Sequence, residues 1–187
     1  MRAVDGEGVV RTQRISHPAF FGTHRDETLR FYTELLGMEL VLRQDNLDDA
    51  SMEHLFFHVG EDNFIAYFLL KDEADASRYR TAQHGLGGMN HLALEVDGAN
   101  FDEALRRLEA EGIPVKGPVD RGYERSIYFK DPNGVRVELL TWLTPPPAHL
   151  DQAAIIRRAQ ELRHARGAAF VEDADVRAAI ADLDQRR

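Results

Sequence analysis

The sequence contains no cysteine. That excludes a disulfide framework, a thiolate nucleophile and any zinc site built on cysteine. A metal held by this chain must be bound by His, carboxylate, Tyr or Asn side chains. Long apolar runs are also missing, and none approaches the ~20 residues that span a bilayer. The first residues, MRAVDGEGVVRTQR, lack the apolar core of a signal peptide, so the expected compartment is the cytoplasm. Positive charge is in deficit, with 23 Lys and Arg against 32 Asp and Glu and a net charge of −9. That balance argues against nucleic acid and against an anionic membrane surface, which both require a basic face. A small molecule is the expected partner. The 43% hydrophobic content is ample for a core, and 187 residues fit one domain with an appendage.

What the chain does have is a statement made twice. An apolar run carrying His17 leads into Asp26-Glu27-Thr28-Leu29-Arg30, a helix start, and then Gly37. An apolar run carrying His91 leads into Asp102-Glu103-Ala104-Leu105-Arg106 and then Gly112. The period is too long for a solenoid unit. It reads as two copies of one supersecondary module.

The pattern predicts a polar leader over 1–13, a domain over 14–144 and a helical tail over 145–187. Module one occupies 14–70, a charged linker 71–88 and module two 89–144. Within module one, strands are expected at Ile15–Gly22, Met38–Arg43, Met52–Gly60 and Phe64–Leu70. The last two are joined by the turn Glu61-Asp62-Asn63. A helix is expected from Asp26 to Leu36, closed by a left-handed Gly37. Module two repeats the order, with strands at Met89–Val96, Ile113–Val115, Ser126–Lys130 and Val135–Trp142. Its helix runs from Phe101 to Glu111, and its last hairpin turns at Asp131-Pro132-Asn133-Gly134. The fold class is therefore α+β, two βαβββ modules. Pro145-Pro146-Pro147 ends the second module. Helices are expected over 151–166 and 173–184, where Val176, Ile180 and Leu183 share one face. The tail can cover the domain or meet a second subunit.

His17 and His91 occupy equivalent positions in the repeat. Glu138 stands inside the apolar strand Val135–Leu140, where a carboxylate is unusual unless paired or metal-bound. Each alone has an ordinary surface explanation; together they make a coherent ligand set. Two imidazoles and one carboxylate suit Fe(II), Mn(II), Zn(II), Ni(II) or Co(II) and leave coordination positions open. The module-one position matching Glu138 falls near Tyr67, and no carboxylate is available there. Tyr128 and Tyr67 are candidates to hydrogen-bond a substrate oxygen, with Arg121 as an electrostatic stabiliser. Phe20, Phe56, Phe68 and Trp142 are candidates for an apolar wall or for plain core. His54 and His58 share a strand face and read as rim residues. His24, His149 and His164 read as solvent-facing, and His84 precedes module two.

The chain resembles the vicinal oxygen chelate superfamily, the glyoxalase / bleomycin resistance protein / extradiol dioxygenase family. The resemblance rests on His17, Phe31-Tyr32, Leu36-Gly37, Asn90-His91-Leu92-Ala93, and the run from Ile127 through Asp131-Pro132-Asn133-Gly134 to Glu138. It implies a cupped mixed sheet around a divalent metal held by His17, His91 and Glu138, in a homodimer. The catechol-type extradiol dioxygenases of the family use this ligand set on Fe(II), so Fe(II) is favoured and ring cleavage is the leading expectation. Their signature carries a histidine shortly before the tyrosine that matches Tyr128. Here that stretch is Pro118 to Gly122, and Arg121 stands at one permitted spacing. Glyoxalase I-type isomerases have a fourth ligand, a module-one carboxylate. Fosfomycin-modifying members need a cationic lining, and the sequence gives no clear cluster for one. The alternatives are a non-catalytic antibiotic-binding protein, or a lyase, isomerase or transferase of the same superfamily.

Overall fold

The computed structural model describes residues 15–61, 63–78 and 88–185. The leader, half of the inter-module linker (79–87, with His84) and Asp62 lie outside the described residues. The chain divides into two compact units, residues 1–80 and 81–187.

The first unit holds β1 (Ala19–Gly22), α1 (Arg25–Arg30, continued as a π-helical turn Phe31–Leu35), β2 (Glu39–Asp45), β3 (Met52–Gly60) and β4 (Asn63–Leu70), then a 3₁₀ turn Glu73–Arg78. Its sheet has the order β1-β4-β3-β2, with β1 parallel to β4 and the other pairs antiparallel. β3 spans the expected residues. β1 is shorter than expected, although its chain already accepts bonds from β4 before the strand proper, Phe64 N–H to Ser16 O and Ala66 N–H to Pro18 O. The proline at that entry has no N–H to lose.

The helix differs in kind from expectation. Leu36 N–H reaches Phe31 O, five residues back, and the widened turn lets adjacent Phe31 and Tyr32 both bury. Tyr32 stacks on Phe57 at 4.9 Å, and its hydroxyl meets that of Tyr67 at 3.2 Å. Leu55, Phe57, Ile65, Tyr67 and Leu69 complete this core under the helix. Each such side chain contributes roughly 1.5–3 kcal/mol on burial, so the helix-covered face carries the unit's stability. The opposite face is left for other work.

The second unit repeats the plan. It holds β5 (Leu92–Glu95), α2 (Gly98–Ala110), β6 (Lys116–Asp120), β7 (Glu124–Lys130) and β8 (Arg136–Trp142), in the order β5-β8-β7-β6. The Asp97 carboxylate caps α2 by accepting from Asn100 N–H at 2.8 Å. Phe101 and Leu108 pack with Ile127, Phe129, Val137 and Leu139. Arg125 also faces α2, its guanidinium over the Phe101 ring at 4.5 Å and bonded to Asp102 at 2.8 Å. Odd-numbered residues of β7 and β8 thus look toward the helix and even-numbered ones away. β6 corrects the expectation of a strand at Ile113–Val115. Those residues follow the helix stop at Gly112 (φ +70°), and pairing begins only where Lys116 meets Tyr128.

The tail forms α3 (Gln152–Ala165) and α4 (Asp173–Asp184). Ile155, Ala159, Val176 and Ala179 bury with Trp142, flanked by Leu140 and Tyr123. Leu140 and Trp142 are even-numbered, so the tail docks on the face of the second sheet that α2 leaves open. Gly122 (φ +93°) makes the close approach possible, since a Cβ there would lie 2.4 Å from Val171 O. Asp173 N–H also donates to Gly122 O at 2.9 Å. No helix among the described residues is long and apolar enough to cross a membrane.

Candidate metal centre

The open face of the second sheet brings His91, Glu138, Tyr128 and Arg121 together. Glu138 pairs across the ladders with Ala93 on one side and Tyr128 on the other. Cross-strand partners share a face. His91, two residues before Ala93, shares it too, and its Nε2 lies 2.8 Å from Glu138 Oε2. The Tyr128 hydroxyl donates to Glu138 Oε1 at 2.5 Å and accepts from Arg121 Nη2 at 2.7 Å. Glu138 is only 5% exposed. The hydrogen bond to Tyr128 holds the Arg121 guanidinium above its ordinary pKa, and Tyr128 and Glu138 add electrostatic support.

The Asn90 side-chain oxygen lies 2.8 Å from His91 Nδ1. A carbonyl oxygen only accepts, so Nδ1 carries the hydrogen and Nε2 is the nitrogen offered to Glu138. In the neutral ring that places a lone pair against a carboxylate oxygen, an arrangement that calls for a cation. The separation is about that of two donors sharing a small divalent ion with bonds of about 2.1 Å. Both ligand groups are held from behind, His91 by Asn90 and Glu138 by Tyr128, as metal ligands usually are. The donor set therefore fits a divalent metal.

His17 lies in the first unit, exposed, with its ring 4.9 Å from Phe56 and Nδ1 3.1 Å from Ser16 Oγ. The ladder also settles the counterpart of Glu138. His17 precedes Ala19 by two residues, as His91 precedes Ala93, and Ala19 pairs with Ala66 as Ala93 pairs with Glu138. The matching position is Ala66, not Tyr67. Tyr67 points the other way, into the core beneath α1, where it is fully buried against Tyr32 and Phe57. It cannot serve a site on the opposite face. Phe20 pairs with Tyr67 and sits 5.4 Å from its ring.

Phe56, Phe68 and His54 share the Ala66 face. His54 stacks on Phe68 at 4.3 Å, and its Nε2 is buried without a hydrogen-bond partner. Burial, and then the nearby His17, lower its pKa. His58 closes its own turn, with Nε2 2.7 Å from Glu61 O. Trp142 belongs to the tail core rather than to a pocket. His149, exposed as expected, pairs with Asp184 at 2.7 Å, and His164 Nε2 lies 2.9 Å from Gln160.

Two features escaped the sequence reading. Glu124 is half-buried on the open face, and burial, then Glu138 and Glu95, raise its pKa. His24, Glu27 and Glu73 gather at the surface with ligand atoms within 4.8 Å of one another. Their exposure and their own ion pairing, His24 to Glu73 at 3.6 Å, leave them an ordinary surface cluster.

Residues 14–139 match the Glyoxalase/Bleomycin resistance protein/Dioxygenase superfamily, and the chain belongs to that family. It is 26% identical over 130 residues to a lactoylglutathione lyase of Neisseria meningitidis serogroup A, covering 68% of this chain and 89% of that protein. It is 28% identical over 124 residues to the Bacillus subtilis protein named "Putative ring-cleaving dioxygenase MhqE", covering 65% of this chain and 39% of the relative. Against a plastid lyase of Arabidopsis thaliana the chain spans 35% of the relative's length. Among solved structures, the fosfomycin resistance protein FosX of Listeria monocytogenes, crystallised with Mn(II) and sulfate, shares the fold. Its TM-score is 0.52 at 20% identity, covering 70% of this chain and 93% of that one.

Proposed function

We propose that this protein is a metal-dependent ring-cleaving dioxygenase acting on a small aromatic substrate with adjacent hydroxyls. His17, His91 and Glu138 would hold the metal, Fe(II) by preference, in a cytoplasmic homodimer. The observation that carries the reading is the register of the two ladders: Glu138 in the second sheet is answered by Ala66 in the first. A fourth protein ligand of the isomerase kind is therefore missing at the symmetric position, and the set stays at two imidazoles and one carboxylate. That set leaves adjacent positions open for a chelating substrate and for oxygen. The Bacillus relative supports the same class.

Bound there, the metal would supply Lewis acidity and a site for oxygen chemistry. The chain's own residues do the rest. Asn90 fixes the His91 tautomer. Tyr128 fixes Glu138 by donating its hydroxyl hydrogen to Oε1. Arg121 donates to the Tyr128 oxygen and places positive charge where a substrate oxyanion develops. The resemblance predicted a histidine in this neighbourhood, and Arg121 stands in that stretch. An always-charged guanidinium cannot shuttle protons. Arg121 therefore stabilises charge, and proton movement falls to Tyr128.

The test is anaerobic loading with Fe(II), followed by oxygen uptake with catechol and formation of the yellow ring-opened product. Stoichiometric uptake that disappears in His91→Ala and Glu138→Gln is the expected result. A protein that binds one metal per chain yet consumes no oxygen with any vicinal diol would exclude ring cleavage. Light scattering on the same sample reports the dimer.

A further inference from the structure

The chain is acidic as a whole, yet the open face of the second sheet gathers its cations around Tyr128. Arg121 bonds the Tyr128 hydroxyl. Arg136 lies over the Tyr128 ring, with its guanidinium carbon 4.6 Å from the centroid, and reaches Asn90 Oδ1 at 3.4 Å. Lys116 is the direct cross-strand partner of Tyr128, and Lys130 that of Arg136. Direct partners share a face, so all four cations surround the His91–Glu138 pair. The protein has three lysines, and two of them are here.

None of the four forms a salt bridge among the described residues, while Arg25, Arg43, Arg107, Arg125, Arg158 and Arg166 all do. The acidic groups of the same face, Glu95 and Glu124, lie toward the tail, where Gln152 holds Glu95 at 3.3 Å. Glu138 is committed to Tyr128 and His91. Glu138 and Glu124 give Arg121 electrostatic support, but Lys116, Lys130 and Arg136 have no ion-pair partner among the described residues, and a bound anion relieves their mutual repulsion. Arg136 is anchored over an aromatic ring and by Asn90, and a guanidinium so anchored suits a two-oxygen acceptor.

We propose that this cation group is a recognition site for an anionic substituent on the substrate. The substrate is then a vicinal aromatic diol that also carries a carboxylate, its diol directed to the metal ligands and its carboxylate to Arg136 and Lys130. The inference rests on the ring-cleavage reading for the diol, and on the cation group alone for the carboxylate. Arg136 and Lys130 become specificity-determining residues.

The experiment compares catechol, 3,4-dihydroxybenzoate and the cationic 3,4-dihydroxyphenethylamine on the wild-type holoenzyme, on Arg136→Gln and on Lys130→Gln. Turnover is read as the ratio of kcat/KM values. Binding is read separately, by anaerobic calorimetry on protein loaded with redox-silent Zn(II). The wild type is expected to favour the carboxylate over catechol by about 10–100-fold, the size of one charge-assisted pair. It should disfavour the amine. Arg136→Gln should bring the ratio close to unity, Lys130→Gln should lower it less, and added salt should weaken carboxylate binding in the wild type most. Lys71→Gln, in the first unit, controls for net charge and should leave the ratio as it was; an equal fall there overturns the proposal. So do equal Zn(II)-form affinities for catechol and the carboxylate. Charge-selective binding with no oxygen uptake from any diol would instead remove ring cleavage and leave the anion site standing.

Discussion

The two sheets share a strand order and the parallel and antiparallel sense of each pair, and their open faces differ most at one register position. Where the first sheet has Ala66, the second has Glu138. Around that position the first sheet presents His54 stacked on Phe68 and edge-on to Phe56, and the second presents Tyr128 with four cations that form no salt bridge among the described residues. The helix-covered faces are alike, both aromatic and aliphatic cores under one helix. Duplication thus preserved what stability needs and let the open faces diverge. The open face of the first sheet is apolar and imidazole-bearing, and that of the second is charged.

The strongest way to break this comparison is to make the second sheet copy the first. Glu138→Ala should weaken Co(II) binding, followed by visible absorbance, by more than about 100-fold, beyond what loss of an outer partner costs. Retained binding would show that the sheet difference is not about metal. The reverse change, Ala66→Glu, buries a carboxylate at a fully enclosed position. The metal-free variant should melt lower, by the roughly 5–10 °C that about 3 kcal/mol makes in a chain of this size. An unchanged melting temperature would show that position 66 tolerates the charge that position 138 carries.

Tyr128→Phe sharpens the second sheet alone. It removes the donor to Glu138 and the acceptor for Arg121, and metal affinity should fall about 10–100-fold with the fold intact by circular dichroism. Tyr67→Phe is its counterpart in the first sheet and should leave metal affinity unchanged. The smallest effect concerns Glu124. Burial holds its carboxyl above the ordinary range, so the folded state binds more protons there than the unfolded chain does. Stability from this group is therefore lost as pH rises through the raised value. Glu124→Gln should melt slightly higher than wild type at pH 7.5. The gap should close below about pH 4, near the unfolded carboxyl value. A gap independent of pH would point to a packing effect.

Much of this molecule was legible in the residues. β3 and α4 lie at their predicted bounds, and Gly37 adopts the left-handed backbone foreseen for it, at φ +71°, as does the second stop glycine, Gly112, at φ +70°. Such features are local, set by a cap, a turn or a strict alternation. The pairing of His91 with Glu138 also followed, because a histidine in a repeat and a carboxylate in an apolar strand are each out of place. Tyr67 misled, since spacing alone leaves a one-residue ambiguity and one residue changes the face. The cation group was invisible for a related reason. Lys116, Lys130 and Arg136 sit on three strands and Arg121 in the β6–β7 connection, and only the sheet register gathers them.

The sequence by itself determined the doubled module, the candidate ligand types and the absence of any thiol chemistry, because these depend on composition and on short-range pattern. Tertiary structure alone decided that Ala66 answers Glu138, that Tyr67 is core, that the tail docks on the open face, and that an acidic chain presents cations beside its candidate metal ligands. Strand register and face carry those facts, and both are fixed by contacts between residues far apart in the chain.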